Sequence, residues 1–285
     1  MRIIRTKAEL REALAEDRRA SRTIGLVPTM GYLHEGHLSL LRAARERCDV
    51  VVMSLFVNPA QFAPGEDLEG YPRDEARDME LAEDAGVDLV YAPAVEEVYP
   101  DGVATTVDVS GDLAEVLCGA PERRGPEHFR GVATVVAKLL NSVDPDVAFF
   151  GQKDAQQALV IRRMVHDLDF SVEIQVLPTV REPDGLALSS RNAYLSAGER
   201  ERATALIRAL RAAEAVAESG ETRAQAALDA ARAELEQAGI EPEYLEARDA
   251  QTLAPAESLN GRPILVAVAA RVGKARLIDN LVIGG

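Results

Sequence analysis

Short apolar runs that alternate with helical patterns constrain this chain more than any other feature. Arg2-Ile3-Ile4, Thr23-Ile24-Gly25-Leu26-Val27, Asp49 to Phe56, Asp88-Leu89-Val90-Tyr91, Asp146-Val147-Ala148-Phe149-Phe150 and Ser171 to Val176 read as strands. Helical patterns separate them. One opens at the capping box Thr6-Lys7-Ala8-Glu9, one runs from Leu38 to about Cys48, and one spans Asp74 to Ala85 before Gly86. Two more cover Gly131 to Val143 and Asp154 to His166, while Val57 to Phe62 and Gly119 to Glu127 read as loops. Strands alternating with helices require a mostly parallel sheet covered on both faces. The predicted fold class is therefore α/β, a doubly wound parallel (Rossmann-like) sheet.

The pattern changes near Thr179 to Gly185. The Ala/Glu/Arg-rich run 197–238 predicts two amphipathic helices with solvated charges. Strands beginning at Glu241, Pro263 and Arg276 follow it. This predicts a smaller C-terminal α+β domain, with boundaries of 1–179 and 180–285.

Ligands on doubly wound sheets bind beyond the carboxyl ends of the strands. His34, Asn58, Gln61, Gly151 and Lys153 all fall just after predicted strand ends. The sharpest of these positions is Pro28-Thr29-Met30-Gly31-Tyr32-Leu33-His34-Glu35-Gly36-His37, between a buried strand and a helix. A helix start there presents unpaired N–H groups and the positive end of its dipole, which suits a phosphate. Gly36 allows close backbone approach, and two imidazoles add donors for growing negative charge. The plain alternative is that one histidine caps the turn and the other packs.

Phe149-Phe150-Gly151-Gln152-Lys153-Asp154 repeats the strand–Gly–helix logic. Lys153 can reach a phosphate, and Asp154 either accepts from a ribose hydroxyl or simply caps its helix. Gln156 and Gln157 suit an uncharged polar group, or are solvated helix residues. Leu188-Ser189-Ser190-Arg191-Asn192, after Asp184-Gly185, reads as an oxyanion clamp or as a polar turn. Arg124, His128 and Arg130 form a basic group around a loop, or ordinary surface charge. The Walker pattern is missing, so any ATP is held differently from P-loop enzymes.

Composition narrows the partners. The net charge of −15 disfavours nucleic acid. No run approaches the ~20 apolar residues of a membrane span. Charges occupy Met1 to Lys7, where a signal peptide needs an apolar stretch. Cys48 and Cys118 lack metal-ligand spacing, so a reducing, cytoplasmic setting is expected.

Taken together, these segments resemble the pantothenate synthetase (pantoate–β-alanine ligase) family, in the nucleotidylyltransferase superfamily that carries H-x-G-H. The resemblance spans nearly the whole chain. It rests on Pro28 to His37, Phe56-Val57-Asn58-Pro59-Ala60-Gln61-Phe62, His128-Phe129-Arg130-Gly131, Phe150 to Asp154 and Asp184-Gly185-Leu186-Ala187-Leu188-Ser189-Ser190-Arg191-Asn192. It implies ATP-dependent condensation of pantoate with β-alanine through a pantoyl-adenylate, releasing diphosphate and then AMP. It implies ATP contacts from Met30, Gly31, Tyr32, Leu33, His34, Glu35, Gly36 and His37, from Gly151, Gln152, Lys153 and Asp154, and from Val180, Leu188, Ser189, Ser190 and Arg191. His37 is the expected proton donor, with His34, Lys153 and Arg191 as the other catalytic candidates. Gln61, Gln157, Asn58 and His128 are expected at pantoate, and Gln61 also at β-alanine.

Mg²⁺ with unassigned ligands, a homodimer and a C-terminal lid are further implications of the same resemblance. Two positions depart from the family pattern. The family often shows R-P-G-H-F-R-G, whereas Arg124-Gly125-Pro126-Glu127-His128 has an extra residue, so no role transfers to Arg124. Ala155 stands where an aromatic residue usually follows the Lys-Asp pair. The competing readings are a nucleotidylyltransferase that adenylylates a phosphorylated acceptor, and a non-catalytic acidic interaction protein.

Overall fold

Thr6 opens the first helix as expected: its side chain accepts from the Glu9 amide, and the Glu9 carboxylate accepts from the Thr6 amide. The computed structural model describes residues 1–62 and 68–284. In chain order the first part runs β1 (Arg2–Ile4), α1 (Lys7–Arg19), β2 (Ile24–Thr29), α2 (Glu35–Arg47), β3 (Val50–Leu55), α3 (Glu75–Asp84) and β4 (Leu89–Tyr91). The short α4 (Val95–Val98) and α5 (Asp112–Glu115), α6 (Pro126–Val143), β5 (Val147–Gly151), α7 (Ala155–Asp167) and β6 (Glu173–Leu177) follow.

All six strands are parallel, in the order β1-β4-β3-β2-β5-β6. The chain steps from β2 outward to β3 and β4, then crosses to the far side of β2 for β5. That reversal makes the carboxyl ends of β2 and β5 the expected ligand position. β2 is buried on both faces, which explains its unbroken apolar run. At Gly25 a Cβ would lie 2.9 Å from Cys48 Sγ and 3.3 Å from the Phe149 ring, so the strand needs glycine where the end of α2 packs on it. Cys48 is itself buried, and burial pushes its thiol up from the ordinary range, which keeps it unreactive.

The expected α/β fold is present, with differences that have local causes. α6 begins at Pro126, not Gly131. Gly125 takes φ +76 just before the helix and Pro126 occupies its first turn. His128 and Arg130 therefore lie on a helix rather than in a loop. Val57 to Phe62 contains a 3₁₀ turn, Pro59–Gln61, capped by the Asn58 side chain. The run 197–238 forms three helices rather than two: α8 (Ala197–Ala203), α9 (Ala205–Glu218) and α10 (Ala224–Gln237). Ser196 caps α8 with its own capping box, and the chain restarts at Thr204.

Contacts divide the chain into two compact units. One is Met1–Gly151 with Val160–Pro178; the other is Gln152–Leu159 with Thr179–Gly285. The second holds α8, α9, α10 and an antiparallel sheet β7-β8-β9, formed by β7 (Pro242–Asp249), β8 (Ile264–Val272) and β9 (Ala275–Ile283). Its helices bury alanines such as Ala209, Ala213, Ala227 and Ala231 against Val266 and Val268 of β8.

A buried ion pair braces the segment after Thr179. Arg181 Nη1 and Nη2 donate to Asp279 Oδ2 and Oδ1 of β9 at 2.6 and 2.9 Å, and the Asp279 side chain is 3% exposed. Removing one partner of such a pair strands a buried charge. Asp279→Ala is therefore expected to lower stability by about 3–5 kcal/mol. A urea titration followed by circular dichroism measures it, and an unchanged midpoint would contradict the bracing role.

Candidate active site

Between β2 and α2 the chain must turn out of a buried sheet in five residues. Gly31 and Tyr32 do so at φ +85 and +52, both left-handed. A Cβ on Gly31 would meet Leu55 Cδ1 at 2.7 Å and Asp78 Oδ2 at 2.8 Å, so only glycine fits. His34 is the N-cap of α2: its Nδ1 accepts from the Gly36 amide at 3.1 Å. His37 answers from the third helical position, where its Nδ1 accepts from the His34 amide at 3.3 Å. Two imidazoles thus build a capping box. Both rings cap, where the plain alternative has one capping and the other packing. Capping does not compete with a chemical role. With both Nδ1 atoms accepting, each neutral ring carries its proton on Nε2, the atom that suits an anion. The ring centroids are 4.1 Å apart. Glu35, also on the turn, pairs with Arg42.

α3 holds this turn from outside. Asp78, 1% exposed, accepts from the Tyr32 and Leu33 amides at 2.7 Å each. Burial pushes its carboxyl up, and the two backbone donors pull it back. Arg77 donates to the Leu33 carbonyl at 3.0 Å, its guanidinium 5.8 Å from the Tyr32 ring.

The loop after β3 is equally determined. Asn58, 1% exposed, donates from Nδ2 to Gln61 Oε1 and to the Gly131 carbonyl, both at 3.1 Å. Its Oδ1 accepts from the Ala60 amide at 3.3 Å and from the Tyr99 hydroxyl at 2.8 Å. Both donor and both acceptor positions of this amide are therefore used. Burial pushes the Tyr99 hydroxyl up to about 12, so it remains a donor. Gln61 Nε2 contacts Met30 Sδ at 3.1 Å, joining this loop to the histidine turn. His128 Nδ1 lies 2.7 Å from the Gln61 carbonyl, and Arg124 Nη1 lies 2.9 Å from His128 Nε2. An arginine only donates, so Nε2 accepts and Nδ1–H donates to Gln61. Arg124 Nη2 also donates to the Gln61 carbonyl at 3.3 Å. A Cβ on Gly131 would lie 2.2 Å from the Ala60 carbonyl oxygen, so α6 packs directly on this loop. Buried His128 and half-buried Arg124 thus form a bracket, whereas Arg130 makes a surface pair with Asp108 at 3.1 Å.

The other candidates lie in the second unit, apart from Gly151. The 3₁₀ turn Gln152–Asp154 is stitched to β9. Asn280 Nδ2 donates to the Gln152 and Lys153 carbonyls at 3.0 and 2.9 Å, and Gln152 Nε2 donates to Asn280 Oδ1 at 3.1 Å. Lys153 Nζ is 3.6 Å from Asp154 Oδ2. Gln156 is buried, against the solvated alternative, and Gln157 is half-buried. Val180 and Leu188 flank a small hairpin: the Leu188 amide donates to the Val180 carbonyl at 3.0 Å, and Arg181 bridges Ala187. Ser189 caps the 3₁₀ turn Ser190–Tyr194, accepting from the Arg191 amide at 3.3 Å. Two buried oxygens of this segment, Thr179 Oγ1 and Asn192 Oδ1, have no partner among the described residues.

Asp78, Tyr99, Asp279 and Asn280 were not among the sequence candidates. Asp78 left a trace, because it shares a helix face with Ala82 and so breaks an apolar stripe. Nothing local marks Tyr99 or Asn280, whose partners are distant in the chain.

Fold and turn together define a doubly wound α/β protein whose strand–helix turn is capped by two histidines. The family model described as pantoate-beta-alanine ligase matches residues 2–282. A pantothenate synthetase of Moorella thermoacetica is 56% identical over 284 residues, covering 99% of both chains. A crystal structure of pantothenate synthetase from Thermus thermophilus superposes with a TM-score of 0.92 at 51% identity, covering 99% of each chain. Another, a pantoate-beta-alanine ligase from Francisella tularensis complexed with beta-gamma ATP and beta-alanine, gives a TM-score of 0.81 at 32% identity, covering 99% of this chain and 97% of that one. The chain belongs to the pantoate-beta-alanine ligase family.

The saturated amide of Asn58 makes a test of its role. Asn58→Ala removes the partner of four groups at once, so it is expected to cost at least about 2 kcal/mol of stability. Thermal unfolding of the purified variant measures it. A stability within error of the wild type would show that the Asn58 amide does not hold the loop.

Proposed function

We propose that this chain joins pantoate to β-alanine with ATP, through a pantoyl-adenylate. Family membership supports the reaction, and the relative solved with beta-gamma ATP and beta-alanine supports the ligands. The observation that carries the reading is the contact of Gln61 with Met30. It sets a neutral amide, rigidly held, beside a turn built for phosphate.

In this reading a pantoate carboxylate oxygen attacks the α-phosphorus of ATP. The α–β phosphoanhydride bond breaks and diphosphate leaves. The amine of β-alanine then attacks the acyl carbon, AMP leaves, and the amine gives up its proton. The protein needs little acid–base chemistry, because ATP supplies both leaving groups. It needs donors at the phosphates and two nucleophiles held in line. His34 and His37 supply Nε2–H donors, and His37 is the proton donor. Met30, Gly31, Tyr32, Leu33, Glu35 and Gly36 shape the turn around the nucleotide.

Gly151, Gln152, Lys153, Asp154, Val180, Leu188, Ser189, Ser190 and Arg191 serve the same ATP, with Lys153 and Arg191 at its phosphates. Gln61 and Gln157 take pantoate, and Gln61 also faces β-alanine. Asn58 and His128 act there through Gln61, one on its amide and one on its carbonyl. Mg²⁺ accompanies the nucleotide, since such ions ride on phosphates with one or two carboxylates. Asp154, a partly exposed carboxylate beside Lys153, fits that need. We also propose cytoplasmic operation, which suits two buried thiols, and a homodimer.

An assay of AMP formation with pantoate, β-alanine and Mg-ATP tests the reaction. Diphosphate release with AMP left attached to a phosphorylated acceptor, and no free AMP, would favour adenylyl transfer instead. His37→Ala is expected to lower turnover by ~10²–10³-fold with the fold intact. Near-normal turnover in the folded variant would remove His37 from the mechanism. Gln61→Ala is expected to weaken pantoate far more than ATP. Titrating each ligand alone reads this out, and equal losses would show that the loop does not define the pantoate pocket.

A further inference from the structure

The histidine turn does not hold itself. Gly31 and Tyr32 are consecutive left-handed residues, and Tyr32 is a bulky side chain in a region that favours glycine. Such a conformation persists only where the surroundings impose it. The capping box fixes the turn from His34 onward, but it leaves the amides of Tyr32 and Leu33 pointing away from α2. Both are taken by one carboxylate, Asp78, with a separate oxygen for each at 2.7 Å.

Asp78 carries a desolvation penalty in this place, since it is 1% exposed on a helix face shared with Ala82. An apolar residue would pack there without that penalty. Arg77, the next residue back, holds the Leu33 carbonyl and lies over the Tyr32 ring. One helix start therefore grips three successive groups of the turn from outside. Gly31 reports the tightness, as its missing Cβ would meet the Asp78 carboxylate at 2.8 Å.

We infer that Asp78 is a positioning residue for nucleotide binding, clamping the Gly31–Leu33 backbone so that His34 and His37 face the phosphates. It acts through the turn and does not touch the substrate. The inference rests on the reading of that turn as the nucleotide site. It assigns to α3, which carries none of the family motifs quoted above, control over affinity for the triphosphate.

The carboxylate is needed as a double acceptor. Asp78→Asn keeps the size but presents one acceptor and one donor, so one turn amide meets another N–H. The expected result is a folded protein whose ATP dissociation constant, by calorimetry, rises at least about tenfold, the order set by losing one hydrogen bond to a charged acceptor. Pantoate affinity, set on the Asn58–Gln61 loop, is expected to stay within about twofold. Arg77 is exposed, so Arg77→Met is safe for folding and is expected to weaken ATP selectively, by less than Asp78→Asn. If Asp78→Asn does not fold, Arg77→Met decides. Unchanged ATP affinity, or equal loss of ATP and pantoate, would overturn the inference. Failure of the wild type itself to bind ATP would overturn the nucleotide reading, a separate and recognisable result.

Discussion

The first amides of a helix have no partner within it, so something else must accept from them. At the start of α2 those amides are met by imidazole nitrogens rather than by the usual hydroxyl or carboxylate. The choice has chemical consequences. A serine or aspartate cap would also satisfy the helix, but an aspartate would set negative charge where the proposed phosphate site lies. An imidazole commits Nδ1 to the cap and keeps a donor at Nε2. One side chain thereby completes the helix and equips the site. The rest of the first unit supports this arrangement: β2 delivers the turn, α3 grips it, and the Asn58 loop meets it through Gln61 and Met30.

The architecture was legible because its cause is local. A buried parallel strand must be apolar throughout, and β2, β3 and β5 show this directly. The strand-end clusters were legible for the same reason, since a doubly wound sheet has one end where ligands bind. The errors came where a local signal has two meanings. Gly125-Pro126 reads as a loop by composition, yet it opens α6, because glycine fits just outside a helix and proline fits its first turn. The alanine-rich run reads as two long helices, yet breaks at Thr204 and at residues 219–223 divide it into three.

What stayed hidden is the buried polar framework. Asn58, expected at pantoate, has both donor and both acceptor positions of its amide filled by protein groups. Arg124, to which the resemblance gave no role, braces the Gln61 carbonyl together with His128. These residues are bound by partners tens of positions away, and pattern reading has no access to such pairs. A net charge of −15 adds to the need for them. The overall field opposes an anionic nucleotide, so attraction has to come from a few oriented donors close to the phosphates.

The stitching of Gln152 and Lys153 to Asn280 has a consequence for how the molecule is made. Those partners are separated by 128 and 127 positions, so Asn280 is synthesised long after the turn it holds. Domains ordinarily fold as they leave the ribosome, first the N-terminal one and then the next. Here the segment 152–159 emerges inside the first unit's stretch of chain, yet belongs to a unit whose strand β9 is made much later. Its turn must wait, without its anchor, until β9 has been synthesised. Cutting or fusing the chain near residue 178 would therefore not separate two modules, because a piece of the second would remain with the first.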